Sequence, residues 1–244
     1  MRGAEGSGRS NRRHGTKTEG GAAGAAAWPG RLRVELEKHV PIGAGLGGGS
    51  SDAAHALVAL DRMLGAGWPA ERLSAFAARF GSDLPFFVHA ALGSPSAACR
   101  GRGEIVRPVG RPAARWAVIY WPPFGLATRE VYARFDALRL GFDAALEPDG
   151  EPRWDQWATL PARELLGRLV NDLEGAAFSL SPALGALRAQ LERDAGRIVR
   201  MSGSGSSLFT LFDADDEAAA REAAEAGRRR GLAAAVAEVT PVAT

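Results

Sequence analysis

The sequence predicts an α+β protein in two successive halves, and three features of the chain favour that fold. Segments that alternate apolar and polar residues, typical of strands, are interspersed with segments whose apolar residues recur at helical spacing. A glycine-rich run joins a strand-like segment at residues 32–37 to a helix-like segment. Pro122 and Pro123 interrupt the pattern near the middle, and we therefore expect the two halves to meet near residue 125.

Within the first half, each element follows from its periodicity and its flanking residues. Charged and apolar residues alternate over 32–37 as in a half-buried strand, and apolar positions from Ala53 to Met63 keep the spacing of a helix. Pro69, tolerated in the first turn of a helix, opens a second helix that ends at Arg79. The remaining predicted strands are short runs bounded by turn residues, at 86–91, 96–100, 104–107 and 117–121.

The second half is predicted to contain more helix than strand. Residues 213–230 are predicted to form a helix. Its acidic residues come first and its arginines last, as the helix dipole favours, and Gly231 follows as a typical helix end. The other predicted helices cover 126–135, 163–170 and 182–193, and the predicted strands cover 198–201, 207–212 and 234–239. Residues 142–156, rich in Pro, Asp and Trp, are expected to form a loop or insertion. The predicted division is a disordered leader at 1–30, a first domain at 31–125 and a second at 126–244.

Composition and charge favour a globular protein and argue against membrane-spanning and nucleic-acid-binding functions. The 244 residues are 46% hydrophobic and 24% charged, enough for a sizeable core. No apolar run nears the ~20 residues that span a bilayer. The leader holds five basic and two acidic residues, so the remaining chain is close to neutral and a nucleic-acid partner is not expected. The single cysteine, Cys99, has no intrachain partner and is expected to be a small strand residue of a cytoplasmic protein.

The most informative motif is a run with five glycines in seven positions, followed by the start of a helix. Glycine admits positive φ and brings backbone N–H groups close to an anion, and the positive end of the next helix adds to that attraction. The run lacks the Lys-Ser/Thr of a Walker loop and the distant acid of a dinucleotide fingerprint. A plain turn or linker is the alternative. The candidate phosphate-binding residues are Pro41, Gly43, Ala44, Gly45, Leu46, Gly47, Gly48, Gly49, Ser50 and Ser51.

Six segments resemble, in the same order, motifs of the GHMP small-molecule kinases. They are 38–54, 81–87, 101–104, 122–125 with 131–132, 171–174 and 201–206. The resemblance implies a two-domain α+β fold, with a ribosomal protein S5 domain 2-like N-terminal domain, truncated here, and a ferredoxin-like α/β sandwich at the C-terminus. Family members have an extra segment before the strand that precedes the glycine loop, with a lysine near the first strand and a Tyr-His pair, and this segment is not recognisable in this chain. Two explanations stay open, a start further upstream and a shortened relative, and we favour the first.

The resemblance also implies an activity and assigns roles to residues. It implies transfer of the γ-phosphoryl group of ATP, with Mg²⁺, to an alcohol. The triple glycine with Ser-Ser-Asp-Ala-Ala is most similar to the branch that phosphorylates the 2-hydroxyl of 4-diphosphocytidyl-2-C-methyl-D-erythritol in non-mevalonate isoprenoid synthesis. Asp83 would orient and deprotonate that hydroxyl, and Ser50 or Ser51 would reach a phosphate or the metal, since no side-chain metal cluster is expected. The loop expected to close over the substrate or phosphates consists of Gly203, Ser204, Gly205 and Ser206.

Each of these roles has a structural alternative. Asp83 suits a helix N-cap, and 203–206 suits a plain hairpin. Residues 171–174 are expected to form a helix start with capping-box geometry rather than a site. For the whole chain, the alternatives are a catalytically silent ATP- or phosphate-binding relative, a kinase for another small alcohol, and a non-enzymatic domain with an arginine-rich tail. The expected partner is a small molecule, without nucleic acid or membrane, and the chain is expected to be a monomer or weak homodimer.

Overall fold

Three helices and a two-stranded hairpin come first in a computed structural model that describes residues 31–140 and 152–239. These elements are α1 (Gly48–Leu64), α2 (Ala70–Ala77), α3 (Leu84–Ala91), β1 (Ala97–Arg100) and β2 (Ile105–Pro108). The strands are antiparallel, with Cys99 opposite Val106. The helices bury their apolar faces against one another, since α1 and α2 both pack on α3. Their shared core consists of Ala54, Val58, Leu73, Ala77, Leu84 and Val88.

A four-stranded sheet organises the second part of the chain. Its elements are β3 (Arg115–Trp121), α4 (Thr128–Ala137), α5 (Trp154–Ala158), α6 (Ala162–Arg168), α7 (Leu173–Leu180), α8 (Pro182–Ala195), β4 (Arg200–Met201), β5 (Leu208–Asp213), α9 (Glu217–Arg229) and β6 (Ala233–Val239). The strands lie in the order β4-β5-β3-β6, and each adjacent pair is antiparallel. The strand and helix sequence β-α-β-β-α-β in this order is the ferredoxin-like arrangement, which confirms that prediction.

The sheet carries apolar side chains on both faces because successive residues of a strand point to opposite sides. Val118 and Tyr120 of β3 face the larger core, together with buried residues of α4, α7, α8 and α9. Leu211 of β5 faces the other side, where it packs against Ala162 and Leu166 of α6. The sheet is therefore fixed between helices, and the short β4 at its edge is held against a well-packed strand.

One predicted strand is wrong, because residues 86–91 belong to helix α3. A short apolar run is compatible with a buried strand or a buried helix, and the periodicity of six residues does not separate the two. Pro85 lies in the first turn of α3, where its fixed φ favours a helix. Val88 packs in the core of the three helices. His89 belongs to the same helix and is therefore not part of a strand.

Three other predicted elements need correction. The segment 32–37 belongs to neither sheet in the part of the chain that the structure describes, because an alternating segment forms a strand only with a hydrogen-bonded neighbour. The helix predicted at 213–230 begins only at Glu217, since Asp213 still belongs to β5. Trp154 begins the short helix α5 within the predicted loop 142–156, whose earlier residues lie, like the leader at 1–30, outside the described residues. The other predicted helices and strands are confirmed to within a few residues.

The elements above and the site below belong to one compact unit, which begins at Val34. Within the described ranges, the helices are too short or too polar for any of them to cross a bilayer.

Candidate active site

The glycine-rich loop at residues 41–47 leads directly into α1. Gly43, Gly45 and Gly47 have φ values of +71°, +74° and +64°, which confirms that the run adopts the left-handed backbone open to glycine. Ser51 is the residue whose N–H donates to the carbonyl of Gly47 at 2.9 Å, as the first bond of the helix. The N–H groups of residues 48–50 therefore lie before the helical ladder, at the positive end of the helix dipole. Such an end attracts anions.

Helix α3 supports this loop from one side. A Cβ atom built on Gly47 would lie 2.6 Å from the ring of Phe87 of α3, so a side chain at this position would collide with that ring. The same helix carries Asp83 at its first turn. The glycine therefore lets the loop approach α3 closely, and the approach brings the candidate phosphate-binding and catalytic residues into the same region.

A second glycine loop, at residues 202–206 between β4 and β5, supports the first loop from the other side. The hydroxyl of Ser202 donates to the carbonyl of Gly45 at 2.7 Å, and the N–H of Ser207 donates to the carbonyl of Ala44 at 3.1 Å. A Cβ atom on Gly45 would collide with the carbonyl oxygen of Ser202 and lie 2.9 Å from that of Gly205. The two loops are thus packed backbone against backbone, over a contact that only glycine permits.

The loops border an open cleft of about 1,020 Å³. The predicted phosphate-binding residues that line it are Pro41, Gly43, Ala44, Gly45, Leu46, Gly47, Gly48, Gly49 and Ser50. Ser51 lies outside the lining, and its hydroxyl is 3.4 Å from Nδ1 of His55. Gly203 and Ser204 of the second loop reach the cleft. Ser206 does not, because its hydroxyl donates to the carbonyl of Phe124 at 2.6 Å.

Asp83 is exposed at the wall of the same cleft. It occupies the N-cap position of α3, yet its carboxylate accepts no capping hydrogen bond from the helix; it accepts a hydrogen bond from the Ser82 hydroxyl at 3.4 Å. It also borders an adjoining pocket of about 290 Å³ that contains Phe86 and Cys99. Partial burial raises the pKa of the Cys99 thiol, and the negative charge of Asp83 adds to that shift. A carboxylate unused by the helix thus faces the cleft.

Lys38 is a residue of this cleft that sequence reasoning left without a role. Its ammonium group forms an ion pair with Asp52 of α1, and Nζ lies 3.5 Å from the position of a Cβ built on Gly48. The pair places the Lys38 ammonium group, balanced by the Asp52 carboxylate, beside the positive end of α1. Spacing alone gave no sign of it, because Lys38 and Asp52 are brought together by the turn of the glycine loop between them.

The segment 171–174 does begin a helix, but its side chains reach further than a capping box. The N–H of Leu173 donates to Oδ1 of Asn171 at 3.1 Å, as in a cap. The carboxylate of Glu174, predicted to turn back to its own helix start, instead accepts the N–H of Met201 at 2.9 Å. These residues therefore contact the strand before the second glycine loop.

The charged groups of the cleft do not form a metal cage. Among residues 31–140 and 152–239, no group of three or more His, Cys, Asp or Glu side chains lies close enough to hold a metal ion. The oxygen donors that line the cleft include the Ser50 hydroxyl and the Asp83 carboxylate.

Comparisons with known proteins agree with this architecture. Residues 16–91 match the family described as GHMP kinases N terminal domain, and residues 159–231 match GHMP kinases C terminal. The crystal structure of a 4-(cytidine 5'-diphospho)-2C-methyl-D-erythritol kinase superposes with a TM-score of 0.60 at 39% identity, over 83% of this chain and 68% of that one. A homoserine kinase from Cytophaga hutchinsonii, at 19% identity, superposes with a TM-score of 0.55 over 84% of this chain and 68% of its own, and shows the fold alone.

Relatives named 4-diphosphocytidyl-2-C-methyl-D-erythritol kinase are similar over most of the chain. The protein from Thermus thermophilus is 40% identical over 218 residues, which cover 86% of this chain and 70% of the relative. The proteins from Nitrosomonas europaea and Methylacidiphilum infernorum are 35% and 40% identical over 78% and 76% of this chain. The chain spans 61% and 59% of the length of these two relatives. With both family regions matched in order, and the fold and glycine loops as described, the chain belongs to the GHMP kinase family.

Proposed function

We propose that this chain transfers the γ-phosphoryl group of ATP to the 2-hydroxyl of 4-diphosphocytidyl-2-C-methyl-D-erythritol, a step of non-mevalonate isoprenoid synthesis. The observation that carries the proposal is that the Asp83 carboxylate and the N-terminal end of α1 face one cleft. Phosphoryl transfer needs charge neutralisation at the phosphates and a group that orients the attacking hydroxyl, and these two features supply them. The names of the relatives support the choice of substrate.

The first glycine loop is proposed to hold the ATP phosphates. The N–H groups of residues 48–50 precede the helical ladder, and no acidic residue lies in the first turn of α1 to oppose an anion. Lys38 lies beside them and also lines the cleft, and its charge is balanced by Asp52 in the next turn of α1. The residues assigned to this role are those of 41–50 that line the cleft, whereas Ser51, whose hydroxyl faces His55, supports the loop through its N–H bond to the carbonyl of Gly47.

The residues present also fit a Mg²⁺ ion that is bound mainly through the nucleotide. Mg²⁺ takes oxygen ligands and is commonly held by one or two protein groups together with substrate phosphates. The Ser50 hydroxyl is the group assigned to reach the ion or a phosphate. When bound, the ion would neutralise charge on the phosphates.

Asp83 is proposed to orient the substrate hydroxyl and to accept its proton. Its carboxylate is exposed, is not used as a helix cap, and borders both the main cleft and the smaller pocket at Phe86 and Cys99. A carboxylate at this place would serve as a general base only if the hydroxyl lies within hydrogen-bond reach, which the pocket beside it permits. In this proposal, each predicted domain, 31–125 and 126–244, supplies one glycine loop to the cleft.

The experiment uses the purified chain with ATP, Mg²⁺ and 4-diphosphocytidyl-2-C-methyl-D-erythritol. ADP release and ³¹P NMR of the product measure turnover, and calorimetry measures ATP binding. We expect Asp83→Asn to lower kcat by roughly 10²- to 10⁴-fold while the Kd for ATP stays unchanged, because the amide cannot accept the proton. Asp215→Asn, an equal change in an exposed turn, is the matched control.

Other results would contradict the proposal in distinct ways. Equal turnover by Asp83→Asn removes Asp83 from the chemistry. Turnover of homoserine in place of the cytidine substrate would assign the chain to another small alcohol. ATP binding without turnover of either alcohol would leave a catalytically silent nucleotide-binding protein.

A further inference from the structure

The residues at the start of α7 lie directly behind the second glycine loop. Asn171 donates from Nδ2 to two backbone carbonyls of that region, Met201 at 2.9 Å and Gly203 at 2.8 Å. Its Oδ1 accepts the N–H of Leu173 at 3.1 Å. One amide side chain therefore bonds the helix through its oxygen and the loop through its nitrogen, and every polar atom of the side chain is used.

Glu174 holds the same strand from the next turn of the helix. Its Oε1 accepts the N–H of Met201 at 2.9 Å, so Asn171 and Glu174 together bond both backbone groups of Met201. Its Oε2 lies 3.6 Å from Arg188 and 3.9 Å from Arg200. The side chain is only 12% exposed, and the two arginines compensate its charge where water does not. Arg188 and Arg200 thus hold the Glu174 carboxylate in the position where it accepts the N–H of Met201.

The second glycine loop, held by these bonds, directly contacts the first glycine loop. Ser202 lies between the two residues held by Asn171, and its hydroxyl donates to the carbonyl of Gly45. A Cβ on Gly203 would lie 3.1 Å from that carbonyl, which shows how little space separates the loops. A shift of the second loop therefore moves or releases Gly45, within the loop whose N–H groups border the cleft.

We propose that Asn171 and Glu174 are positioning residues, which hold the second glycine loop against the first and so set the shape of the phosphate-binding cradle. The inference rests on the proposed function for the identity of the ligand, although its structural part does not. Neither residue lines the cleft, and both act through the backbone of Met201 and Gly203. The competing interpretation is that Asn171 is only a helix cap.

Asn171→Asp separates these interpretations. Aspartate caps a helix about as well as asparagine, so the bond to Leu173 survives, but the carboxylate cannot donate to the two carbonyls and repels them. Asp172→Asn is the matched control, since Asp172 is exposed and its side chain makes no capping bond. Amide hydrogen exchange of the unliganded full chain and calorimetric ATP binding, both with the same preparations, are the measurements.

For Asn171→Asp we expect amide exchange in residues 201–207 to become about tenfold faster, with exchange in β3 unchanged, because two hydrogen bonds are lost locally. The Kd and KM for ATP should rise about tenfold, with a smaller change in kcat, since the cradle rather than the base is disturbed. Glu174→Gln keeps an acceptor for Met201 but loses its charge, and should show the same pattern to a lesser extent. Asp172→Asn should match the wild type in every measurement.

Unchanged exchange at 201–207 in Asn171→Asp would overturn the positioning role and leave Asn171 a cap. Faster exchange there with unaltered ATP affinity would overturn the link between the loops. An equal effect of Asp172→Asn would also overturn it, by showing that the helix start is sensitive to any change. If the wild type binds no ATP, the proposed function fails, while hydrogen exchange still decides the structural role of Asn171.

Discussion

The two glycine-rich loops have similar composition but different surroundings. The first, at 41–47, precedes a helix, so the N–H groups of the next residues face the cleft without helical partners. The second, at 202–206, connects two strands, and its polar groups bond to other protein groups: Gly205 N–H donates to the carbonyl of Ser202, and the hydroxyl of Ser206 donates to the carbonyl of Phe124. Glycine content therefore does not identify a binding loop, whereas the element that follows it does.

The loops also rest on different cores. The first is supported by the small helical core of α1, α2 and α3, in which Phe87 touches Gly47. The second extends from the sheet, whose buried strands carry the larger core. The comparison predicts that damage at the contact of the loops affects the site most, and that damage behind either loop affects it less.

The largest effect is expected for Gly45→Ala, at the contact itself. The new methyl group would collide with the backbone of Ser202 at a φ of +74°, where backbone atoms cannot move aside. We expect turnover to fall by at least ~100-fold and the free energy of unfolding by roughly 2–4 kcal/mol. Gly43→Ala is the control, because its φ is +71° but no atom lies within 4 Å of the new methyl group. Equal losses in both variants would show that backbone strain, and not the contact between the loops, matters.

Alkaline pH tests the core behind the second loop. Burial raises the pKa of Tyr120 to about 12, and the charge of Asp194 contributes. The folded state keeps this proton between pH 10 and 12 while the unfolded state loses it, so stability falls as pH rises through that window. The expected loss is roughly 2–3 kcal/mol relative to Tyr120→Phe, measured by urea unfolding at several pH values. If the free energies of unfolding of the wild type and of Tyr120→Phe change with pH in parallel, the expected contribution of Tyr120 is contradicted.

Lys38→Met tests the charge beside the first loop. Removal of the ammonium group should raise the Kd for ATP about tenfold, because the Asp52 carboxylate, which lines the same cleft, loses its cation and then repels the phosphates. The difference from the wild type should shrink at high salt. Arg62→Met, at the opposite end of α1, is the matched control and should leave the Kd unchanged. An unaltered Kd in Lys38→Met would confine the binding role of this loop to its backbone.

The helices and strands around the second loop were predicted from the sequence more accurately than those around the first loop. Long periodic segments such as those of α8 and α9 and the apolar run of β5 give strong local signals, and the strands predicted around them are confirmed. Residues 86–91 were assigned to a strand because a short apolar run does not reveal that Val88 packs between helices. The error concerned the helix that supports the first loop.

The site was predictable in its local parts and not in its long-range contacts. The positive φ of Gly45 and the start of α1 follow from neighbours in the chain. The bond from Ser202 to Gly45 joins residues 157 positions apart, and that from Asn171 to Met201 joins residues 30 apart. Such pairs depend on tertiary packing, to which periodicity and spacing are insensitive. For the same reason the segment 171–174 was interpreted as a cap alone.

Ser202→Ala is the smallest change, since it removes one hydrogen bond between the loops and leaves their backbones in contact. The carbonyl of Gly45 loses the donor at 2.7 Å, and a net loss of about 1 kcal/mol should lower Tm by roughly 2–4 °C. Ser181→Ala, whose hydroxyl makes no capping bond, should shift Tm by less than about 1 °C. If Ser202→Ala were to abolish turnover as Gly45→Ala is expected to, the hydroxyl rather than the close backbone contact would hold the loops together. A graded response, with ATP affinity reduced and turnover kept, would instead mean that the two backbones maintain the cradle and the side chain only strengthens it.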